Sequence, residues 1–176
     1  YKSKYLLSLV LRRDGYSKLP KDNRWGTFPG ISAGWVLSRE NFMESCSNVL
    51  SYAKIRASYG ANGNVSGVLD ANGNVVTGLD YYTVQGSYGI MKDKDGKIVP
   101  NYNGKVPLMI NDLPNPTMRW EKSYTFETGF DIGFLNNKYI LNFTYYNRHT
   151  QDKFAEITLP SHSGVSSFLS NNGEVQ

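Results

Sequence analysis

Side chains able to do acid–base, metal or nucleophilic chemistry are few and scattered in this 176-residue chain. Glu127 and Asp131 are the best-placed carboxylates. On one extended strand they would share a face, with Cα atoms roughly 13 Å apart at ~3.3 Å per residue. Glycoside hydrolysis needs carboxyl groups ~5–9.5 Å apart, which this pair reaches only by leaning together. Pairing with cations on neighbouring strands is the plainer use. His149 and His162 lie too far apart in sequence for a compact zinc motif and are expected in loops. Asp93-Lys-Asp95-Gly96 begins like a calcium loop, but no later acidic ligand follows, so it reads as a turn. Cys46 is the single cysteine and can form neither an intrachain disulfide nor a structural zinc site. Gly60-Ala-Asn-Gly63 opens no helix, so it offers no phosphate cradle. No catalytic constellation emerges, and neither a cofactor nor a metal is expected.

The elements that would position these residues are strands. Tyr, Phe and Trp make up 14% of the chain, alongside 17 glycines and frequent Gly–Asn clusters. Aromatic rings fit a pleated surface, and Gly and Asn supply turns. Between Ser123 and Phe134 the even positions Tyr124, Phe126, Thr128, Phe130, Ile132 and Phe134 alternate with Ser123, Thr125, Glu127, Gly129, Asp131 and Gly133. That period of two marks a half-covered strand. Asn136-Asn137 reads as a two-residue hairpin turn. Alternation then resumes with Tyr139, Leu141, Phe143 and Tyr145 set against Asn142, Thr144, Tyr146 and Arg148. Three earlier strands are expected at Tyr5–Arg12, Thr27–Leu37 and Tyr52–Gly60, each longer than the five or six residues usual in soluble proteins. Everything after His149 reads as loop.

The connections are uneven. Residues 14–26 and 38–51 are of medium length, 61–122 is very long, and 136–137 is minimal. The long one carries two turn signals, Asp70-Ala-Asn-Gly-Asn74 and Lys92-Asp-Lys-Asp-Gly-Lys97. These predict short hairpins pairing 67–70 with 75–78 and 88–91 with 98–102, hence a small subdomain and not a structureless stretch. Transmembrane barrels show this asymmetry, with short turns at one end and long loops at the other.

No run approaches the ~18 apolar residues of a membrane helix, which excludes a helical membrane protein. The start, Tyr-Lys-Ser-Lys, lacks signal-peptide features and reads as a mature product or a fragment. Residues 1–60 hold ten Lys/Arg against four Asp/Glu, and the remainder nine against eleven. The cations are dispersed and unframed by any nucleic-acid motif, so no nucleic-acid partner is expected. Alternation by itself fits both a soluble β-sandwich and a membrane barrel, since each hides one face. The polar face tilts the choice, because Arg12, Lys54, Arg56, Glu127, Asp131 and Arg148 suit a wide aqueous lumen. Ile55, Phe126, Phe130, Ile132, Leu141 and Phe143 would then face lipid, between girdles of Trp35, Tyr59, Tyr124, Phe134, Tyr139 and Tyr145. The expected fold is therefore all-β, part of a large antiparallel transmembrane β-barrel, with about five strands and long extracellular loops. A secreted carbohydrate-binding β-sandwich is the alternative.

Several runs carry a family resemblance. Leu11-Arg-Arg-Asp-Gly-Tyr-Ser17, Asp22-Asn-Arg-Trp-Gly-Thr-Phe-Pro29, Ser32-Ala-Gly-Trp35 and Lys54-Ile-Arg-Ala-Ser-Tyr-Gly60 with Gly63-Asn64 are followed in order by Pro114-Asn-Pro-Thr-Met-Arg-Trp-Glu-Lys122, Gly129-Phe-Asp-Ile-Gly-Phe-Leu135, Tyr145-Tyr-Asn-Arg148, Leu159-Pro160, Ser163-Gly164 and Asn172-Gly-Glu174. Together they resemble the barrel region of SusC/RagA-type TonB-linked outer-membrane proteins over almost the whole chain, with Tyr16 and Leu19 as small departures. The resemblance implies a plug inside a barrel of about 22 strands. The plug and the TonB box have no counterpart here, so the chain would be an interior piece of wall that stops in a loop. It further implies the outer membrane of a Gram-negative, Bacteroidetes-like bacterium and uptake of oligosaccharides or peptides. A SusD-type surface lipoprotein would be the lid, and TonB would engage a part outside this chain. Residues 61–122 would be an extracellular loop whose Tyr81, Tyr82, Tyr88 and Tyr102 touch lid or ligand, packing within the loop being their plainer use.

Overall fold

The computed structural model describes residues 1–46, 49–69, 75–79, 81–99, 102–165 and 167–175. Its strands are β1 (Tyr5–Gly15), β2 (Trp25–Val36), β3 (Leu50–Asn64), β4 (Val68–Leu69), β5 (Val75–Thr77), β6 (Ser87–Ile90), β7 (Leu108–Asp112), β8 (Glu121–Phe134), β9 (Tyr139–Thr158) and β10 (Ser167–Val175), with one short helix, α1 (Tyr81–Gln85). Six of these form a single antiparallel sheet in the order β1-β2-β3-β8-β9-β10. β4 pairs with β5 and β6 with β7 in two small separate ribbons. No helix among the described residues is long and apolar enough to cross a membrane; a barrel crosses with strands.

The five expected strands are present, and each extends further towards the long-loop end than the alternation indicated. A sixth, β10, occupies a region expected to be loop, and β9 continues ten residues past Arg148 to Thr158. At 20 residues, β9 spans ~65 Å, far more than the ~25 Å apolar band of an outer-membrane barrel. Its apolar alternation covers only the first part, and beyond it Asp152 adopts a left-handed φ of 57° that breaks the period. β10 pairs with β9 through two register shifts, at Ser170/Gly173 and Gly173/Val175.

Connections alternate between the two ends of the sheet. At one end, β8 and β9 are joined by Leu135–Lys138, with Phe134 paired to Tyr139. This is a four-residue turn in place of the expected two, because Leu135, Asn136 and Asn137 all take left-handed φ values of 51°, 57° and 60°. The turn is tied to the start of β3: the Leu135 N–H donates to the Val49 carbonyl and the Asn136 N–H to Ser51 Oγ. At the same end, two 3-10 turns, Leu37–Arg39 and Asn41–Cys46, link β2 to β3. The other end carries 16–24, 159–166 and the excursion 65–120.

Within that excursion the first predicted hairpin forms, as β4–β5. The second does not. β6 pairs with the distant β7 (Tyr88↔Ile110, Ile90↔Leu108), and only the bridge Lys92↔Ile98 remains of the local pairing. The turn itself is sound, since Asp93 Oδ1 accepts the Asp95 and Lys97 N–H groups and Gly96 takes a φ of 78°.

The buried core lies at the long-loop end. Leu19, Phe28, Leu79, Met118, Trp120, Phe154 and Leu169 form one cluster, joined at its rim by Tyr16, Ala61, Val65 and Val84. Leu19 and Tyr16 thus serve as core, with Tyr16 edge-on to Trp120. Phe28 packs against Trp120 at 5.4 Å and lies over Gly63, where a Cβ would come within 2.0 Å of the ring.

Candidate functional site

Register brings the six predicted wall residues to one face. Lys54 stands opposite Asp131, Ser58 opposite Glu127, and Thr125 opposite Arg148, while Gly34 aligns with Arg56 and Phe28 with Arg12. The contacts run across strands. Arg56 on β3 faces Gly129 on β8, which in turn faces Thr144 on β9. With no side chain at Gly129, the guanidinium passes over β8, donates to Thr144 Oγ1 and reaches Asp131 at 3.7 Å. A Cβ at Gly129 would sit 2.4 Å from the Phe143 carbonyl oxygen, so the gap is needed twice over. Ser58 Oγ donates to Glu127 at 3.4 Å, and Arg12 pairs with Asp14 at 2.7 Å while lying over the Phe28 ring. Asp131 is thus held by a cation and Glu127 by a hydroxyl. The two carboxylates have separate structural partners and do not converge on a shared point.

The opposite face is apolar and uncovered. Ile55 aligns with Phe130, Phe130 with Phe143, and Ile132 with Leu141, while Tyr59 aligns with Phe126. Phe130 and Phe143 stack at 5.2 Å, Tyr59 on Tyr124 at 6.5 Å, and Tyr5 on Trp35 at 6.4 Å. Leu9 and Leu11, on the same face of β1, are 71% and 75% exposed. A soluble sandwich would place a second sheet there. The only other sheets among the described residues are the two small ribbons.

At the short-turn end, Glu40 gathers three donors: Trp35 Nε1 at 3.0 Å, Tyr5 Oη at 2.9 Å and Lys4 Nζ at 3.1 Å. The Trp35, Tyr5 and Lys4 hydrogen bonds, in that order of weight, hold its carboxyl below the ordinary carboxylate range. This clamps the β2–β3 connection to the first residues of β1.

At the long-loop end, two buried asparagines that the sequence reading did not single out stitch 115–119 to β10. Asn115 Nδ2 donates to the Leu169 carbonyl, and its Oδ1 accepts from the N–H and hydroxyl of Thr117. Asn171 Nδ2 donates to the carbonyls of Arg119 and Asp152, and its Oδ1 accepts the Arg119 N–H. Arg119 pairs with Asp152 at 2.6 Å, a contact that raises its pKa. Trp120 Nε1 and Asn23 Nδ2 close the remaining side, on the Arg24 and Met118 carbonyls. The available signal was the run Pro114–Lys122, whose Asn, Met and Trp are unusual company in a loop.

Of the four tyrosines predicted to touch lid or ligand, Tyr88 on β6 is 75% exposed. Tyr81 and Tyr82 begin α1 and Tyr102 begins a 3-10 turn; their side chains lie outside the described residues. His149, expected in a loop, is in β9, with Nε2 2.9 Å from Glu174 and 3.0 Å from Gln151. His162 is in a 3-10 turn.

Comparison with known proteins agrees with this geometry. A family model described as TonB dependent receptor-like, beta-barrel, matches residues 1–176. The chain is 34% identical over 176 residues to TonB-dependent receptor P3 of Formosa agariphila and 31% identical over 170 residues to TonB-dependent receptor SusC of Bacteroides thetaiotaomicron. These alignments take in 100% and 97% of this chain but 16% of each relative, so it spans about a sixth of their length. Structures of the RagAB peptide importer in the "closed-closed" and "open-open" states superpose with TM-scores of 0.75 and 0.76 over 97% of this chain and 16% of theirs, at 23% identity, which speaks to fold. The chain belongs to the TonB-dependent receptor β-barrel family, of SusC/RagA type, and its six-stranded sheet is a part of that barrel's wall.

Proposed function

We propose that this wall belongs to an outer-membrane nutrient importer that takes up oligosaccharides or peptides with a SusD-type lipoprotein lid. TonB would energise it through a part of the protein outside this chain. The observation that carries the reading is the sheet's two-sidedness: a charged face cross-linked over Gly129 and an uncovered apolar face, on strands long enough to span a bilayer. In this reading Arg12, Lys54, Arg56, Glu127, Asp131 and Arg148 look into the lumen, and Ile55, Phe126, Phe130, Ile132, Leu141 and Phe143 meet lipid. The excursion within 61–122 stands outside the cell, where Tyr81, Tyr82, Tyr88 and Tyr102 contact lid or ligand. A Gram-negative, Bacteroidetes-like outer membrane is the setting.

The test is uptake of labelled oligosaccharide and labelled peptide by cells carrying the full-length protein, with the proton gradient intact or collapsed. Gradient-dependent uptake of one class, reduced by Tyr88→Ala while the barrel still inserts, is expected. Uptake of neither class would contradict import, and uptake untouched by Tyr88→Ala would remove Tyr88 from the contact set.

A further inference from the structure

On the apolar face, where β2 and β3 approach the long-loop end, lies a groove of about 350 Å³ walled by Leu9, Leu11, Ile31, Tyr59, Ala61 and Tyr124. Ala61, the smallest of these side chains, leaves the slot open between Ile31 and Tyr124. Two residues beyond Leu11 on the same face of β1, about 7 Å further out along the strand, stands Arg13. Its guanidinium lies over the Trp25 ring, 5.2 Å from the centroid, and no ion pair joins it to a carboxylate among the described residues. Trp25 is itself exposed. An apolar slot thus ends in a cation set on an aromatic shelf, with no carboxylate paired to it among the described residues.

We propose that this groove seats an acyl chain of a lipid in the leaflet on the long-loop side, and that Arg13 binds the phosphate of its headgroup. The occupant is a lipid and not a soluble anion because the cation sits at the end of a slot that only hydrocarbon would fill. A guanidinium matches phosphate oxygens with paired donors, and the contact with the Trp25 ring holds it at that end of the slot. The proposal rests on the lipid-facing reading of this face, and its test can fail while that reading stands.

The experiment uses the full-length protein in uncharged detergent micelles doped with phosphatidic acid, with diacylglycerol of the same chains, or with inorganic phosphate alone, read by native mass spectrometry. Phosphatidic acid is expected to stay bound, diacylglycerol to be held more weakly, and inorganic phosphate neither to bind nor to compete. Arg13→Gln should retain about tenfold less phosphatidic acid, the order expected for one lost charge-assisted contact, bringing it level with diacylglycerol. Ile31→Trp, which fills the slot, should lose both lipids. Lys138→Gln, which removes the same charge at the opposite end of the sheet, should change nothing. Retention of phosphatidic acid no better than diacylglycerol by the unaltered protein, displacement by inorganic phosphate, or full retention by Arg13→Gln would overturn the proposal. The first two outcomes are read without any variant.

Discussion

Leu9 and Leu19 lie ten residues apart and have opposite fates: one is 71% exposed on the wall, the other 2% exposed in the long-loop cluster. The contrast extends to whole regions. Along the wall, Leu, Ile, Phe and Tyr stand on one face with nothing over them, whereas at the long-loop end Phe28, Met118, Trp120, Phe154 and Leu169 are folded into a core. An apolar face of this extent marks a surface that something apolar covers, which for a barrel wall is lipid. Where the strands run out of the bilayer, the loops must supply their own cover, and buried asparagines must satisfy the backbone groups that the sheet no longer pairs. In the proposed reading the wall is organised by the membrane and the long-loop cluster by water.

The sharpest way to break that contrast is to truncate the water-side core. Trp120→Ala removes a ring packed on Phe28 and Tyr16 together with the donor to the Arg24 carbonyl, and should cost about 3–5 kcal/mol. Hydrogen exchange on the full-length protein should show protection lost at 16–28, 115–120 and 152–171 while β1–β3 below Gly30 stays protected. Next comes Phe130→Lys, which at ~2–4 kcal/mol near the bilayer midplane should block assembly, read by heat-modifiable gel mobility. Its normal insertion would count strongly against a lipid-facing wall. Asn171→Ala leaves the Arg119 N–H without its acceptor and the Arg119 and Asp152 carbonyls without their donor, and about 1–3 kcal/mol is expected. The readout is faster proteolysis within 115–119 with the barrel intact.

How much of this was legible depended on which solvent a segment meets. The strands within the apolar band were readable because one face must be greasy and the other polar, so the period of two is forced. Outer β9 and β10 were not, because there both faces meet water or loop. His149–Thr158 carries no alternation, and the bulge at Asp152 resets what pattern exists. The turn after Phe134 has four residues and not two because Leu135 takes a left-handed φ that its residue type gives no hint of. β6 found β7 and not the nearer 98–102 segment because local turn chemistry marks where a chain reverses and not which strand it meets next. The shared face of Arg12, Lys54, Arg56, Glu127, Asp131 and Arg148 followed from alternation, whereas Arg56 reaching over Gly129 needed the register. The roles of Asn115 and Asn171 left no periodic trace: the run Pro114–Lys122 marks Asn115 only by its composition, and Asn171 lies in β10, where no alternation shows.

The smallest expected effect is a pH dependence at the short-turn end. Glu40 is held below its ordinary value of 4.5 by the hydrogen bonds from Trp35, Tyr5 and Lys4. A depressed carboxylate contributes stability that is fully present above the unfolded value and is lost as pH falls through the folded one. The difference in heat stability between the unaltered protein and Glu40→Gln should therefore be constant above about pH 5 and shrink on acidification below it. A difference that grows on acidification would have the wrong sign.

The claim that the wall is organised by lipid is tested most directly by single cysteines along Phe126–Ile132 in a Cys46→Ser background, spin-labelled in full-length protein reconstituted into bilayers. Collision with oxygen should peak at the even positions 126, 128, 130 and 132, and collision with a water-soluble nickel chelate, where it occurs, should favour 127, 129 and 131. Even positions shielded from oxygen as fully as a buried protein core would contradict the account.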